Sequence, residues 1–136
     1  KIVLISCVSK KLDKRAKAEI IYTSSLFKKN LAYAKSLEPS AIFILSAKHG
    51  LLKLTDQIDP YDKTLNKMSV NEQKEWSRVV INQLKSVADL KNDEFIFLAG
   101  HKYRKYLLSE LDRVKVPMEG LKIGEQLRWL TKHNSR

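Results

Sequence analysis

Polar clusters at the ends of short apolar runs are where this chain could do chemistry. The first is Ser6-Cys7-Val8-Ser9-Lys10-Lys11, which combines hydroxyls, a thiol and two ammonium groups. A turn there would aim backbone N–H groups and Ser9 outward beside two point charges, which is equipment for an anion such as phosphate. The cluster lacks the glycines of a P-loop or a dinucleotide fingerprint. Cys7 is either a nucleophile or a small buried residue at a strand end; no base is adjacent to it in sequence.

The second cluster, Ser46-Ala47-Lys48-His49-Gly50, ends in a glycine that permits a tight turn and would hold Lys48 and His49 at a sheet edge. An imidazole titrates near neutrality and can serve as acid or base. Lys48 can bind an anion or, if desolvated, act as a nucleophile. The plain alternative is a loop histidine beside a solvated lysine. Downstream, Asp56, Asp59 and Asp62 accompany Tyr61. A carboxylate in a basic site suits a general base or a ribose-hydroxyl ligand, although an aspartate before Pro60 also suits an Asx turn. The third cluster, Gly100-His101-Lys102-Tyr103-Arg104, offers either backbone N–H groups at a helix start for an anion or a plain tight turn.

The elements that position these clusters are legible as four apolar runs, over residues 1–5, 41–45, 94–98 and, more weakly, 114–117. Short runs rich in β-branched and aromatic residues without polar alternation predict strands buried on both faces. Helices are expected over 25–37, 69–87, 102–111 and 124–133. The second of these opens on Ser69-Val70-Asn71-Glu72, which has capping-box spacing, and its inward face is expected to carry Trp76, Val79, Val80, Gln83 and Leu84. Residues 9–18 read as a basic loop, and residues 50–68 as a long segment without clear periodicity, a length that tends to be functional. Strands alternating with helices predict a three-layer, Rossmann-like α/β fold with about four mostly parallel strands and helices on both faces. In such sheets the ligand crevice lies beyond the carboxyl ends of the strands, where all three clusters fall.

The chain has 136 residues, the size of one domain, with 43% hydrophobic and 30% charged residues. No apolar stretch is long enough to span a bilayer, and no targeting segment is visible at the start of this sequence. One cysteine allows no internal disulfide and leans toward a reducing cytoplasm; with three scattered histidines it provides no metal-ligand spacing, and no cofactor is implied. The formal net charge of +11 speaks to anionic partners, or else to a lysine-rich solvated surface.

Taken together, several stretches carry a resemblance. Leu45-Ser46-Ala47-Lys48-His49-Gly50-Leu51-Leu52, then Ile58-Asp59-Pro60-Tyr61-Asp62 and Leu65, resemble the core signature of small bacterial and phage domains of unknown function. Those domains are distantly similar to the YaaA family of peroxide-stress proteins, which has a comparable S-x-x-x-G-x-L and D-x-x-x-P-Y stretch. Ser6 to Lys11, Tyr22-x-Ser24-Ser25-Leu26-Phe27, Leu98 to Arg104 and Gly120 to Leu127 extend the likeness over almost the whole chain. The opening cluster is also similar to a stretch of archaeosine-synthase-type enzymes, which act on a modified base in RNA. These resemblances imply a nucleotide, nucleoside or nucleic-acid ligand.

The expectation is therefore a nucleotide- or nucleic-acid-directed protein, acting at an N-glycosidic bond or on a base as a hydrolase or transferase. Lys10, Lys11 and Lys48 would hold phosphate, and Ser6, Ser9 and Ser46 would orient the ligand. His49 or Asp59 would move a proton, with Lys48 as a further catalytic candidate. Cys7 and Gly100 complete the ligand-binding candidates, and Tyr61 or Tyr103 would stack on a base. The rival expectation is a non-catalytic, stress-related basic module that binds nucleic acid through residues 10–17 and the C-terminal Arg128, Lys132 and Arg136.

Overall fold

A computed structural model describes residues 1–6 and 10–134. Cys7 and Ser9 lie outside the described residues. The centre of the fold is β1 (Ile2–Ser6), whose first four residues are buried. It pairs in parallel with β3 (Ala41–Ser46) on one side and β6 (Phe95–Leu98) on the other. A strand covered on both faces and paired on both edges has no position for a polar side chain, which is why these three segments are uniformly apolar. The register runs Ile2–Ala41–Phe95 to Ile5–Ile44–Leu98, so the three strands end level. Ser6, Ser46 and Ala99-Gly100 are thereby delivered to one edge of the sheet.

Three connecting segments build the rest. After β1 come β2 (Ala16–Lys17), the short α1 (Ala18–Ile21) and α2 (Ser25–Ser36), which is capped by the Ser24 hydroxyl accepting from the Phe27 N–H at 3.1 Å. After β3 come β4 (Gly50–Lys53), β5 (Gln57–Ile58), a 3₁₀ turn at Leu65–Lys67 and α3 (Val70–Lys85). After β6 come α4 (His101–Arg104), a 3₁₀ turn at Leu108–Glu110, β7 (Val114–Lys115) and α5 (Ile123–Asn134). The main sheet has the order β4-β3-β1-β6-β7, all parallel except β4, and β2 pairs with β5 in a separate two-stranded ladder.

The order β3-β1-β6-β7 has a functional consequence. The chain leaves β1 toward β3 and leaves β6 toward β7, so the connections diverge between β1 and β6. Right-handed crossovers in opposite directions put α2 and α3 on opposite faces, and α5 packs against α2 to complete its layer. This divergence, beyond the carboxyl ends of β1 and β6, is the topological position where ligands bind in open α/β sheets. The core around it is formed by Leu4, Ile5, Ile44, Leu45, Phe95, Phe97 and Leu98 from the strands, with Phe27 from α2 and Leu84 from α3.

The capping box is present: the Ser69 hydroxyl accepts from the Glu72 N–H at 3.2 Å and the Glu72 carboxylate from the Ser69 N–H at 3.0 Å. Other details differ from the sequence expectation. The helix expected over 102–111 is a single turn followed by a 3₁₀ turn, with Leu107 and Leu111 buried without a continuous helix. Its four helical residues align too few peptide dipoles to make a strong anion site. The unpatterned segment 50–68 contains two strands, and the basic loop contains β2. Val79, expected inward, is 41% exposed.

β3 and β4 form a hairpin closed by the Ser46–Gly50 pair, with Ala47, Lys48 and His49 in the turn. Gly50 has φ +73°, and a Cβ there would stand 2.4 Å from Gln83 Oε1. Gln83 approaches closely because it holds both sides of the turn: Oε1 accepts from the Leu51 N–H at 2.8 Å, and Nε2 donates to the His49 carbonyl at 3.3 Å. Gly50→Ala is expected to cost at least the ~1–2 kcal/mol of a left-handed non-glycine residue. Adding Gln83→Ala should cost less than the sum of the two single changes, by about 0.5–3 kcal/mol, because the clash is relieved. Urea denaturation of the four proteins measures this; additive costs would show that the close approach has no energetic weight.

Candidate functional site

Ser46 is the hub of the polar edge. It is fully buried at the end of β3, where its hydroxyl donates to the Tyr61 hydroxyl at 2.8 Å and accepts from the His49 N–H at 3.1 Å. Its carbonyl accepts from the Trp76 indole N–H at 2.9 Å, which ties the strand end to α3. Tyr61 in turn shares a hydrogen bond of 2.7 Å with the hydroxyl of Tyr22, a buried residue just after α1. Three hydroxyls from three distant segments thus form a continuous chain.

A cation completes it. Lys11 forms an isolated antiparallel bridge with Tyr22, supported by backbone bonds from Leu12 to Ile21 and from Thr23 to Lys10. This places the Lys11 ammonium 4.4 Å from the centre of the Tyr61 ring and 5.7 Å from that of Tyr22, within cation–π range. The β2–β5 ladder makes the meeting possible, because pairing Ala16 with Ile58 docks the basic loop on the segment that carries Tyr61. Lys10 is exposed.

Beyond β1 and β6, the Ser6 hydroxyl accepts from the Gly100 N–H at 3.2 Å, bridging the two strands at the point of divergence. Tyr103 is buried, its ring edge-on to Trp76 with centroids 5.6 Å apart. Asp59 lies at the surface in an ion pair with Arg15 at 3.2 Å, and Arg15 also donates to the Gln57 carbonyl. Asp59 therefore braces the β2–β5 ladder in this conformation.

His49 stands between the hydroxyl chain and a neighbouring cleft. Its ring meets Tyr61 edge-on at 5.6 Å, and its Nε2 is buried without a hydrogen-bond partner among the described residues. Burial holds its pKa below the ordinary value, the Lys48 charge lowers it further, and Asp56 opposes both. The imidazole is thus neutral at physiological pH, the form that can accept a proton. The cleft itself has a volume of about 470 Å³ between the hairpin turn and α3, lined by Ala47, Lys48, His49, Met68, Trp76 and Val79 among others. Ser6, Gly100 and Tyr61 do not line it.

The structure therefore brings Lys11, Ser46, His49 and Tyr61 together and joins Ser6 to Gly100 at the strand ends. Lys48 is exposed on the cleft rim. Tyr22, Trp76 and Gln83 were not among the site residues expected from sequence. The signal for Tyr22 was its place in Tyr22-x-Ser24-Ser25; helical periodicity put Trp76 and Gln83 on the inward face of α3, but nothing local showed which backbone groups they would meet. Among the described residues there is no group of His, Cys, Asp and Glu side chains suited to a metal ion. No described helix is long and apolar enough to cross a membrane.

The fold is a three-layer α/β domain that carries a cluster of hydroxyl side chains at the carboxyl edge of its sheet. Within that class the chain belongs to the family of unknown function DUF6884, whose model matches residues 2–132. No curated protein and no solved structure matches the chain.

The histidine gives a test of the site's electrostatics. The folded state holds His49 below the ordinary imidazole value of 6.5, so the unfolded chain binds a proton that the folded one resists. The contribution to stability is constant above that value and declines as pH falls from it toward the lower folded value. Melting temperatures of wild type and His49→Gln, measured from about pH 7.5 to about pH 5.5, check this across the histidine range. The variant should lose less stability on acidification; equal pH dependence would contradict a desolvated His49.

Proposed function

We propose that this domain binds a nucleotide, free or within a nucleic acid, at the carboxyl edge of its sheet and acts there on the N-glycosidic bond or on the base. The observation that carries this reading is the hydroxyl chain Ser46–Tyr61–Tyr22 with Lys11 over its central ring and neutral His49 at its side. Ser46 and Tyr22 are buried and bonded within the chain, so they fix the half-buried Tyr61 from beneath rather than meet a ligand; a fixed ammonium suits a phosphate, and a neutral imidazole suits the activation of water. In hydrolysis of an N-glycosidic bond, water adds to the sugar carbon, the base leaves, and a proton must be taken from the water and delivered to the departing base. The net charge of +11 would draw an anionic ligand toward the site. The resemblance to the YaaA family and to enzymes acting on bases in RNA points to the same ligand class.

In this reading Lys11, anchored by two rings, is the principal phosphate contact, and exposed Lys10 contributes mainly to the long-range field. Ser6 and Gly100 border the phosphate side, and Lys48 draws anions to the cleft rim. The second reading, a non-catalytic module, rests on the charge alone and predicts binding without product.

Binding is measured by calorimetry with AMP, GMP, CMP and UMP. Lys11→Ala should weaken it by about tenfold or more, the loss of a charged hydrogen bond of ~1.5–3 kcal/mol, and Lys10→Ala much less. Release of free base, followed by chromatography, should fall about 10²–10⁴-fold in His49→Ala. Binding without base release or base modification would favour the module. Affinity unchanged in Lys11→Ala would contradict the proposed phosphate contact.

A further inference from the structure

We infer that the cleft between α3 and the β3–β4 turn holds the planar base of the nucleotide, while the sugar and phosphate pass over His49 toward Tyr61 and Lys11. This rests on the nucleotide reading above and specifies which surfaces of the domain recognise the base.

The two tyrosines first expected to stack on a base are otherwise engaged. Tyr103 is buried with its ring against Trp76, and Tyr61 has Lys11 over its face and the His49 ring beside it. The adjoining cleft supplies what they do not. At about 470 Å³ it falls within the range of small-molecule sites. Ala47, Met68, Trp76 and Val79 give it an apolar floor. Trp76 spends its one polar atom on the Ser46 carbonyl, so only ring carbon remains to face the cleft. Val79 is 41% exposed, an apolar side chain at the border of the buried face of α3.

The charges on the rim fit an anionic ligand with an aromatic end. Lys48 and Lys63 border the cleft as cations. The two carboxylates on the α3 side are committed to local partners: Glu72 to the Ser69 N–H, and Glu75 to Arg78 in a two-bond ion pair. Arg78 thus offsets the charge of Glu75, while Glu72 keeps its charge and faces Lys63. His49 joins the two halves of the site, lining the cleft while meeting Tyr61 edge-on, and its buried Nε2 has no partner among the described residues. A buried ring nitrogen without a partner among the described residues carries an unmet hydrogen-bonding demand, which a ligand crossing His49 meets once the ring turns toward it.

The test uses Trp76 as a reporter in a Trp129→Phe background, where it is the remaining tryptophan. AMP, GMP, CMP, UMP, ribose 5-phosphate and a short oligoribonucleotide are titrated, following both melting temperature and Trp76 emission. Nucleotides should raise the melting temperature and change the emission; ribose 5-phosphate should leave the emission unchanged. Val79→Glu, at an exposed position, should keep the wild-type melting temperature without ligand and weaken nucleotide binding at least tenfold. Nucleotides that stabilise the protein while leaving Trp76 emission unchanged would overturn the base subsite and leave the nucleotide reading standing. Undiminished nucleotide affinity in Val79→Glu would do the same. If neither the mononucleotides nor the oligoribonucleotide raises the melting temperature, the nucleotide reading fails and the subsite with it.

Discussion

Ser46 is a fully buried polar residue at the end of an apolar strand, and the need to satisfy it organises the polar edge of this domain. A buried hydroxyl and carbonyl without partners would together cost several kcal/mol, about 1–3 each. Here each is met by a different element: Tyr61 from the segment after β5, the turn amide of His49, and Trp76 from α3. One residue therefore links the central sheet, the hairpin, the following loop and the helix on that face. Gln83 repeats the device about two helical turns beyond Trp76, holding the outer side of the same turn. The turn is braced from below by Ser46 and from α3 by Gln83, so His49 and Lys48 are presented by a fixed backbone. A site built on such a support loses little conformational entropy when a ligand arrives.

The topology explains why the support lies where it does. Level registers across β1, β3 and β6 bring three strand ends to one line, and divergence of the chain between β1 and β6 leaves that line uncovered by crossovers. The small β2–β5 ladder then folds over one side of the edge, carrying Lys11 to Tyr22 and Tyr61. Its bracing by Arg15 and Asp59 is exposed, so that pair is expected to contribute little to stability, about 0–1 kcal/mol. The hydroxyl chain beneath is better sheltered and is the stronger tie between the two segments.

Much of this frame was legible in the sequence because its causes are local. Uniform apolar runs marked β1, β3 and β6, since a strand buried on both faces admits nothing else. Ser69 and Glu72 marked the start of α3 through their own hydrogen bonds. Gly50 marked the turn, and the turn placed Lys48 and His49 at the sheet edge. What escaped had non-local causes. β2 and β5 have two residues each and exist only because they pair with one another. The spacing of Leu107, Leu108 and Leu111 suits a helix, yet those side chains pack inward from turns. Tyr22 and Tyr61 are 39 residues apart, and no periodicity relates them. Asp59 looked suited to proton transfer by residue type, but its carboxylate is directed to Arg15.

In the proposed function, ligand recognition belongs to the edge organised by Ser46 rather than to the charged surface at large. Mapping backbone amide shifts by nuclear magnetic resonance during titration with AMP, GMP, CMP or UMP tests it most directly. The largest changes should fall at residues 46–50, at Lys11 and Tyr61, and at Gly100, with α2 and α5 little affected. Changes confined to the basic residues of α2 and α5, such as Lys28, Lys29, Arg128 and Lys132, would contradict it.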